Sequence, residues 1–161
     1  PAAILQERAS EVDESDPNVH AVAKRMIEMM FEQSGVGLAA PQVGLPWRIF
    51  VTRDIDSPEG EESGTAWINP NLEIMCDEFS VDEEGCLSLP DIRGDIRRHI
   101  GIRISGFDAN GNPIEMESDE FIARVWQHEN DHLDGILILD KMSAMDRLVN
   151  RRLIRSLERA E

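Results

Sequence analysis

A chain of 161 residues has the length of one ordinary domain, enough to bury about two thirds of the surface that its unfolded form exposes. With 32 acidic against 16 basic residues the formal net charge is −16, which argues against free nucleic acid or an anionic membrane as the main partner. No apolar run approaches the roughly 20 residues that span a bilayer, and two cysteines without a signal-like segment are expected to be thiols of a soluble, intracellular protein.

In chain order, "SDPNVHAVAKRMIEMMFEQSG" predicts a helix with Ser15 or Asp16 as cap, Pro17 at its first position, and Val19, Val22, Ala23, Met26 and Met30 along one face. Gly35 is expected to stop it. The stretch "GVGLAAPQVG", residues 35–44, surrounds a single polar side chain, Gln42, with glycine, alanine and proline. Such bareness suits a turn or a backbone surface that a ligand can approach closely. "WRIFVT" and "AWINPNLEIM" are read as strands joined by an acidic loop, and "IGIRISGFDANGNPIEME" as a hairpin turning at Asn110 to Pro113. "SDEFIARVWQHENDHLDG" predicts a second helix, with Ser118 as cap, Asp119 and Glu120 in its first turn and Gly135 past its end. A third helix, about 143–160, closes the chain. The expected fold class is α+β, with antiparallel sheets around a central helix and helices at both termini, in one domain spanning 1–161.

The chemistry concentrates in "QHENDH", residues 127–132. Helical residues four apart share a face, so His128 and His132 can converge on one metal ion while Glu129 projects beside them toward a bound water. A catalytic centre of this kind wants a third protein ligand and one open position. The position that would supply a third histidine in metzincin-type sites is Ile138 here, which excludes that arrangement. A thermolysin-like site would have to use Glu158, almost at the end of the terminal helix. Cys86, in "DEEGCLSLP" between Gly85 and a short apolar run, is the better third ligand. A lone intracellular cysteine is by default a small core residue, and Cys76 keeps that reading.

"GVGLAAPQ", "EGCLS" and "QHENDH" together resemble, in order, the three signature segments of the peptide deformylases. The resemblance implies removal of the formyl group from the N-terminal formylmethionine of new polypeptides. It implies one divalent metal, iron(II) with zinc, nickel or cobalt as substitutes, held by Cys86, His128 and His132. Glu129 would be the general acid/base for a metal-bound water, and Gln42 with the backbone N–H of Leu87 would stabilise the oxyanion. An extended peptide would lie beside Val36, Gly37 and Gly85, with Phe121 and Val125 among the walls of a methionine pocket and Arg93 near the peptide carbonyls. The implied setting is bacterial cytoplasm or an organellar stroma or matrix, and the implied state a monomer.

Other residues bear on this expectation. Arg124, one turn before His128, stands where the family commonly has an apolar residue, so the pocket is expected to be narrower or more polar. Asp131 and Arg98 are candidates to pair and position the ligand helix, against a default of solvated surface roles. Arg147, Arg151, Arg155 and Arg159 recur every four residues, opposite Met145, Val149, Leu153 and Leu157. That strip is either a solvated face balanced by acids or a docking surface for ribosomal RNA. The alternatives are an HExxH metallopeptidase using Glu158, and a formyl-peptide or nascent-chain binding module without catalysis.

Overall fold

The computed structural model describes residues 3–55, 62–86 and 89–159, with the side chains of Pro90, Glu158 and Arg159 left out. Leu87 and most of the expected acidic loop therefore lie outside the described residues.

Helix α1 runs Pro17–Glu32, and its cap is Asp16, whose carboxylate accepts from Asn18 N–H at 2.8 Å. Val19, Ala23, Met26 and Met30 are buried on one face as the 3.6-residue period requires. Its end differs from the expected glycine stop: Ser34 takes the left-handed conformation (φ 56°), and Gly35 N–H then closes on Met30 O at 2.9 Å.

Strands β1 (Gly37–Ala39), β2 (Ile49–Arg53) and β3 (Gly64–Ile74) follow, then the hairpin β4 (Phe79–Cys86) and β5 (Leu89–His99), and the hairpin β6 (Ile102–Phe107) and β7 (Pro113–Ser118). Five of them form one antiparallel sheet in the order β1-β2-β3-β6-β7, while β4 and β5 pair only with each other. Long strands at β4 and β5 went unread in the sequence because charged residues dominate them, yet β5 alternates strictly, burying Ile92, Gly94, Ile96 and Arg98 and exposing Asp91, Arg93, Asp95 and Arg97.

Helix α2, Phe121–Leu133, sits between the two sheets, against β1 and β2 on one side and β5 on the other. Its cap residue is Glu120, and Ser118 belongs to β7, its hydroxyl accepting from Glu120 N–H at 3.0 Å; the two acids thus precede the helix and do not open its first turn. Gly135 lies beyond the end at φ 75°, where a Cβ would meet Gln6 O at 2.6 Å. The apolar side of α2, with Ala123, Trp126 and Leu133, packs on Phe50, Trp67, Ile102 and Ile104 of the large sheet. A second core joins α1 to β1, β2 and β3, and a third joins Leu89, Ile92 and Ile96 of β5 to Ile138, Leu139 and Met142.

Helix α3 (Ile138–Lys141) leads into the terminal helical run, which is interrupted at Asn150 into α4 (Ala144–Val149) and α5 (Arg151–Arg159). Among the described residues of α4 and α5 and their junction, Asn150 and Ile154 are buried, with Leu157 packed against the same core. Met145, Val149 and Leu153 are exposed, which corrects the apolar face drawn from the sequence. Asn150 decides the rotation of the run: its amide donates to Arg93 O on β5 at 2.9 Å.

Candidate metal centre

Four segments distant in sequence meet at one wall of a cavity of about 830 Å³. Cys86 ends β4, while His128 and His132 stand one turn apart on α2, their rings 5.1 Å apart centre to centre. One donor atom from each of these three residues lies within 4.8 Å of the other two. Cys86 Sγ is 3.3 Å from His132 Nε2. One sulfur and two imidazole nitrogens at this spacing fit a borderline divalent transition ion and leave room for a fourth ligand.

The electrostatics point the same way. Burial, reinforced by the charges of His128 and Arg98, pulls His132 down to about 3, so it presents a neutral ring. For His128, burial acts downward but hydrogen bonds to Cys86 and Glu84 outweigh it and raise the group to about 10. The site thus favours a positive charge between the sulfur and the ring, the role a metal cation takes over.

Glu129 lies beside the histidines, 4% exposed, and its Oε1 has no hydrogen-bond partner among the described residues. Burial raises it to about 7, against the pull of His128 and Arg98. Gly37 explains part of the bare first motif: a Cβ there would come 2.5 Å from Glu129 Oε2, so a larger residue would push the carboxylate from its place. Gln42 follows in a short 3-10 turn, Ala40–Val43. Ala39 N–H donates to its Oε1 at 2.9 Å, which aims Nε2 at Cys86 Sγ, 3.5 Å away. Val36, Gly37, Gly85, Arg93, Phe121 and Val125, the expected peptide contacts, all line the one cavity. Glu158 belongs to the terminal residues whose side chains are not described, and Glu129, next to His128 on α2, lines the cavity itself.

Arg98 and Asp131 do pair, and both are shielded, so the solvated reading gives way to a buried one. Arg98 also grips Glu84 through Nη2–Oε1 at 2.9 Å and Nε–Oε2 at 3.1 Å. Glu84 escaped the sequence reading, since an acid in a run of acids carries no signal until the fold buries it. Its Oε1 stands 2.9 Å from His128 Nδ1, which orients the ring and leaves Nε2 as the nitrogen that could take a metal. Arg124 corrects an expectation. Its guanidinium turns into the β4–β5 hairpin, donating to Glu84, to Ile96 O and to both oxygens of Ser80. Asp82 completes its set at 3.4 Å, so its N–H groups are spent internally and it offers the pocket its stem.

Architecture and site together define a class: a mixed α and β protein whose inner helix carries two of the three residues of a possible Cys/His/His metal site, with a carboxylate alongside. The sequence matches the polypeptide deformylase family over residues 1–148. It is 40% identical over 156 residues to the peptide deformylase of Thermotoga maritima, covering 97% of this chain and 92% of that one. It is 42% identical over 146 residues to the peptide deformylase of Pelotomaculum thermopropionicum, covering 91% and 90%. Among solved structures, an inhibitor complex of Plasmodium falciparum peptide deformylase superposes with a TM-score of 0.86 at 35% identity, covering 99% of this chain and 96% of that one. Arabidopsis thaliana peptide deformylase 1B superposes at 0.90 with 31% identity, covering 99% and 88%. The chain belongs to the polypeptide deformylase family, metalloenzymes that act as hydrolases.

Proposed function

We propose that this chain, acting over residues 1–161 as one catalytic unit, hydrolyses the formyl amide of N-terminal formylmethionine on new polypeptides. The observation that carries the reading is the convergence of Cys86, His128 and His132 within 4.8 Å, beside the buried Glu129. These three side chains would hold the ion, iron(II) in the cell, with zinc, nickel or cobalt as substitutes. The chemistry such an ion supplies is Lewis acidity, which brings the pKa of a water towards neutrality and polarises a carbonyl.

Glu129, raised to about 7 by burial, takes the proton of the attacking water and later delivers it to the departing amine nitrogen. A C–O bond forms, the formyl C–N bond breaks, and formate leaves with the free amine. Gln42 Nε2 donates to the formyl oxygen as it gains charge, and the backbone N–H of Leu87 is the second donor by family resemblance. The peptide runs extended along the free edge of β1, beside Val36 and Gly37, and along Gly85, held by main-chain hydrogen bonds that are indifferent to its sequence. Phe121 and Val125 enclose the methionine side chain, and Arg93 stands at the mouth for the peptide carbonyls. Arg147, Arg151, Arg155 and Arg159 are the proposed contact with ribosomal RNA near the nascent-chain exit. Bacterial cytoplasm or an organellar stroma or matrix is the proposed setting, and monomer the proposed state.

Formate release from a formyl-methionyl peptide, by protein reconstituted with iron or nickel, tests the reading beside a Glu129→Gln control that should lose activity while keeping its metal. Cys86→Ser should lose the metal, whereas a peptidase using Glu158 would retain it. Metal-replete protein that releases no formate overturns the proposal.

A further inference from the structure

The cavity holds a second arrangement that the reaction above does not use. Glu84 lies two residues before Cys86 on β4, and its carboxylate faces both Arg124 and His128, which are four apart and so stacked along one face of α2. Oε2 accepts from Arg124 Nη1 at 2.5 Å and from Arg98 Nε at 3.1 Å. Oε1 receives Arg98 Nη2 at 2.9 Å and lies 2.9 Å from His128 Nδ1. The roughly four acceptor positions of a carboxylate are therefore all taken. Arg124 is itself anchored in the hairpin, through Ser80 O at 2.9 Å, Ser80 Oγ at 2.8 Å and Ile96 O at 3.0 Å.

We propose that Arg124 is a positioning residue of the metal centre: by clamping Glu84 from one turn before His128, it sets the rotation and distance of α2 relative to β4, and so the approach of His128 to Cys86. The inference rests on the metal reading of Cys86, His128 and His132. Arg98 alone grips the carboxylate but joins it to Asp131, later on the helix. Among the described residues, Arg124 is the one that ties the N-terminal side of the ligand turn to the strand that delivers the cysteine. A bound ion needs its donors within a few tenths of an ångström of their places, so loosening this clamp weakens binding even though Arg124 touches no donor atom. A lysine cannot replace it, because an ammonium lacks the planar fork that reaches Glu84, Ile96 and Ser80 at once.

The test is titration of chelator-stripped protein with cobalt(II) against a competing chelator, on folded Arg124→Leu and Arg124→Lys proteins. Arg25→Leu, which breaks only an exposed pair with Glu28 and Glu32, serves as control. Cobalt affinity should fall roughly 10- to 100-fold in Arg124→Leu, less in Arg124→Lys, and stay unchanged in the control. Glu84→Gln combined with Arg124→Leu should bind no more weakly than Glu84→Gln alone, because both act through one carboxylate. Unaltered affinity in the two Arg124 proteins, or losses that multiply in the double variant, overturns the role of Arg124 and leaves the metal reading standing. An unaltered chain that fails to bind cobalt overturns the metal reading and this inference with it.

Discussion

Gln42 is the lone polar side chain of the 35–44 stretch, and its amide is oriented by the backbone beside it. Because Ala39 N–H holds Oε1 at 2.9 Å, the NH2 end is directed towards Cys86 without needing any contact from the peptide. Preorganised donors of this kind cost no reorganisation during reaction. Gln42→Leu is expected to lower kcat by roughly 100- to 1000-fold while metal content by atomic absorption stays that of the unaltered protein; an equal fall in metal content would instead assign Gln42 to holding the centre. At this scale the sequence was most legible where chemistry is rare. Histidines at i and i+4 with an intervening glutamate, and an amide among glycines, stand out against any background. Glu84 did not, because one acid among 32 acidic residues acquires meaning only from burial between Arg98, Arg124 and His128.

At the scale of elements, α2 and β4 form the frame of the site, and Glu84 is the joint between them. Burial acts to raise this carboxyl, but hydrogen bonds from His128 and Arg98, with the charge of Arg98, bring it down to about 2. A depressed folded-state value means that stability is present above the ordinary value of 4.5 and is lost as pH falls through about 2. The charged groups facing Glu84 are Arg98, Arg124 and His128, all cationic across that window, with Asp82 and Asp131 on the far sides of the arginines. In metal-stripped protein, Glu84→Gln should therefore cost on the order of 3 kcal/mol at pH 6. The difference from the unaltered chain should close as pH approaches 2, by urea denaturation across pH 6 to 2.5. A gap independent of pH would show that shape, and not charge, makes the joint. Elements with strong period, α1 and α2, were read correctly in kind; the cap of α1 is Asp16, one of its two candidates, and that of α2 is Glu120, two residues past Ser118. The β4–β5 hairpin was missed because its outward charges masked the inward alternation of Ile92 and Ile96.

For the molecule as a whole, the basic strip and the apolar face of the terminal run were drawn from one helical wheel, and packing rotated that wheel. Arg147 Nη1 donates to Leu139 O at 2.5 Å while the residue stays exposed, as Arg151 and Arg155 do, and Ile154 is buried against the β5 core. Removing the segment from residue 147 onward would thus also uncover the core, so charge reversal is the cleaner test. Arg151→Glu with Arg155→Glu should abolish co-sedimentation with ribosomes at low salt while leaving hydrolysis of free formyl-peptides unchanged. Full co-sedimentation of that variant would remove ribosome docking from the proposed function.

The sequence alone determined the fold class, the family and the placing of His128 and His132 one turn apart on one helix, because helical spacing is a property of local covalent geometry and the three motifs are specific in combination. It could only nominate Cys86 and Gln42. These stand 46 residues from His132 and 44 from Cys86 respectively, and no local rule brings such positions together. The tertiary structure decided the rest: the burial that raises Glu129, the partners that lower Glu84, the close approach of Gly37 to Glu129, and the inward turn of Arg124. Each depends on which side chains exclude water from which neighbours, and that is settled only when two sheets close around one helix.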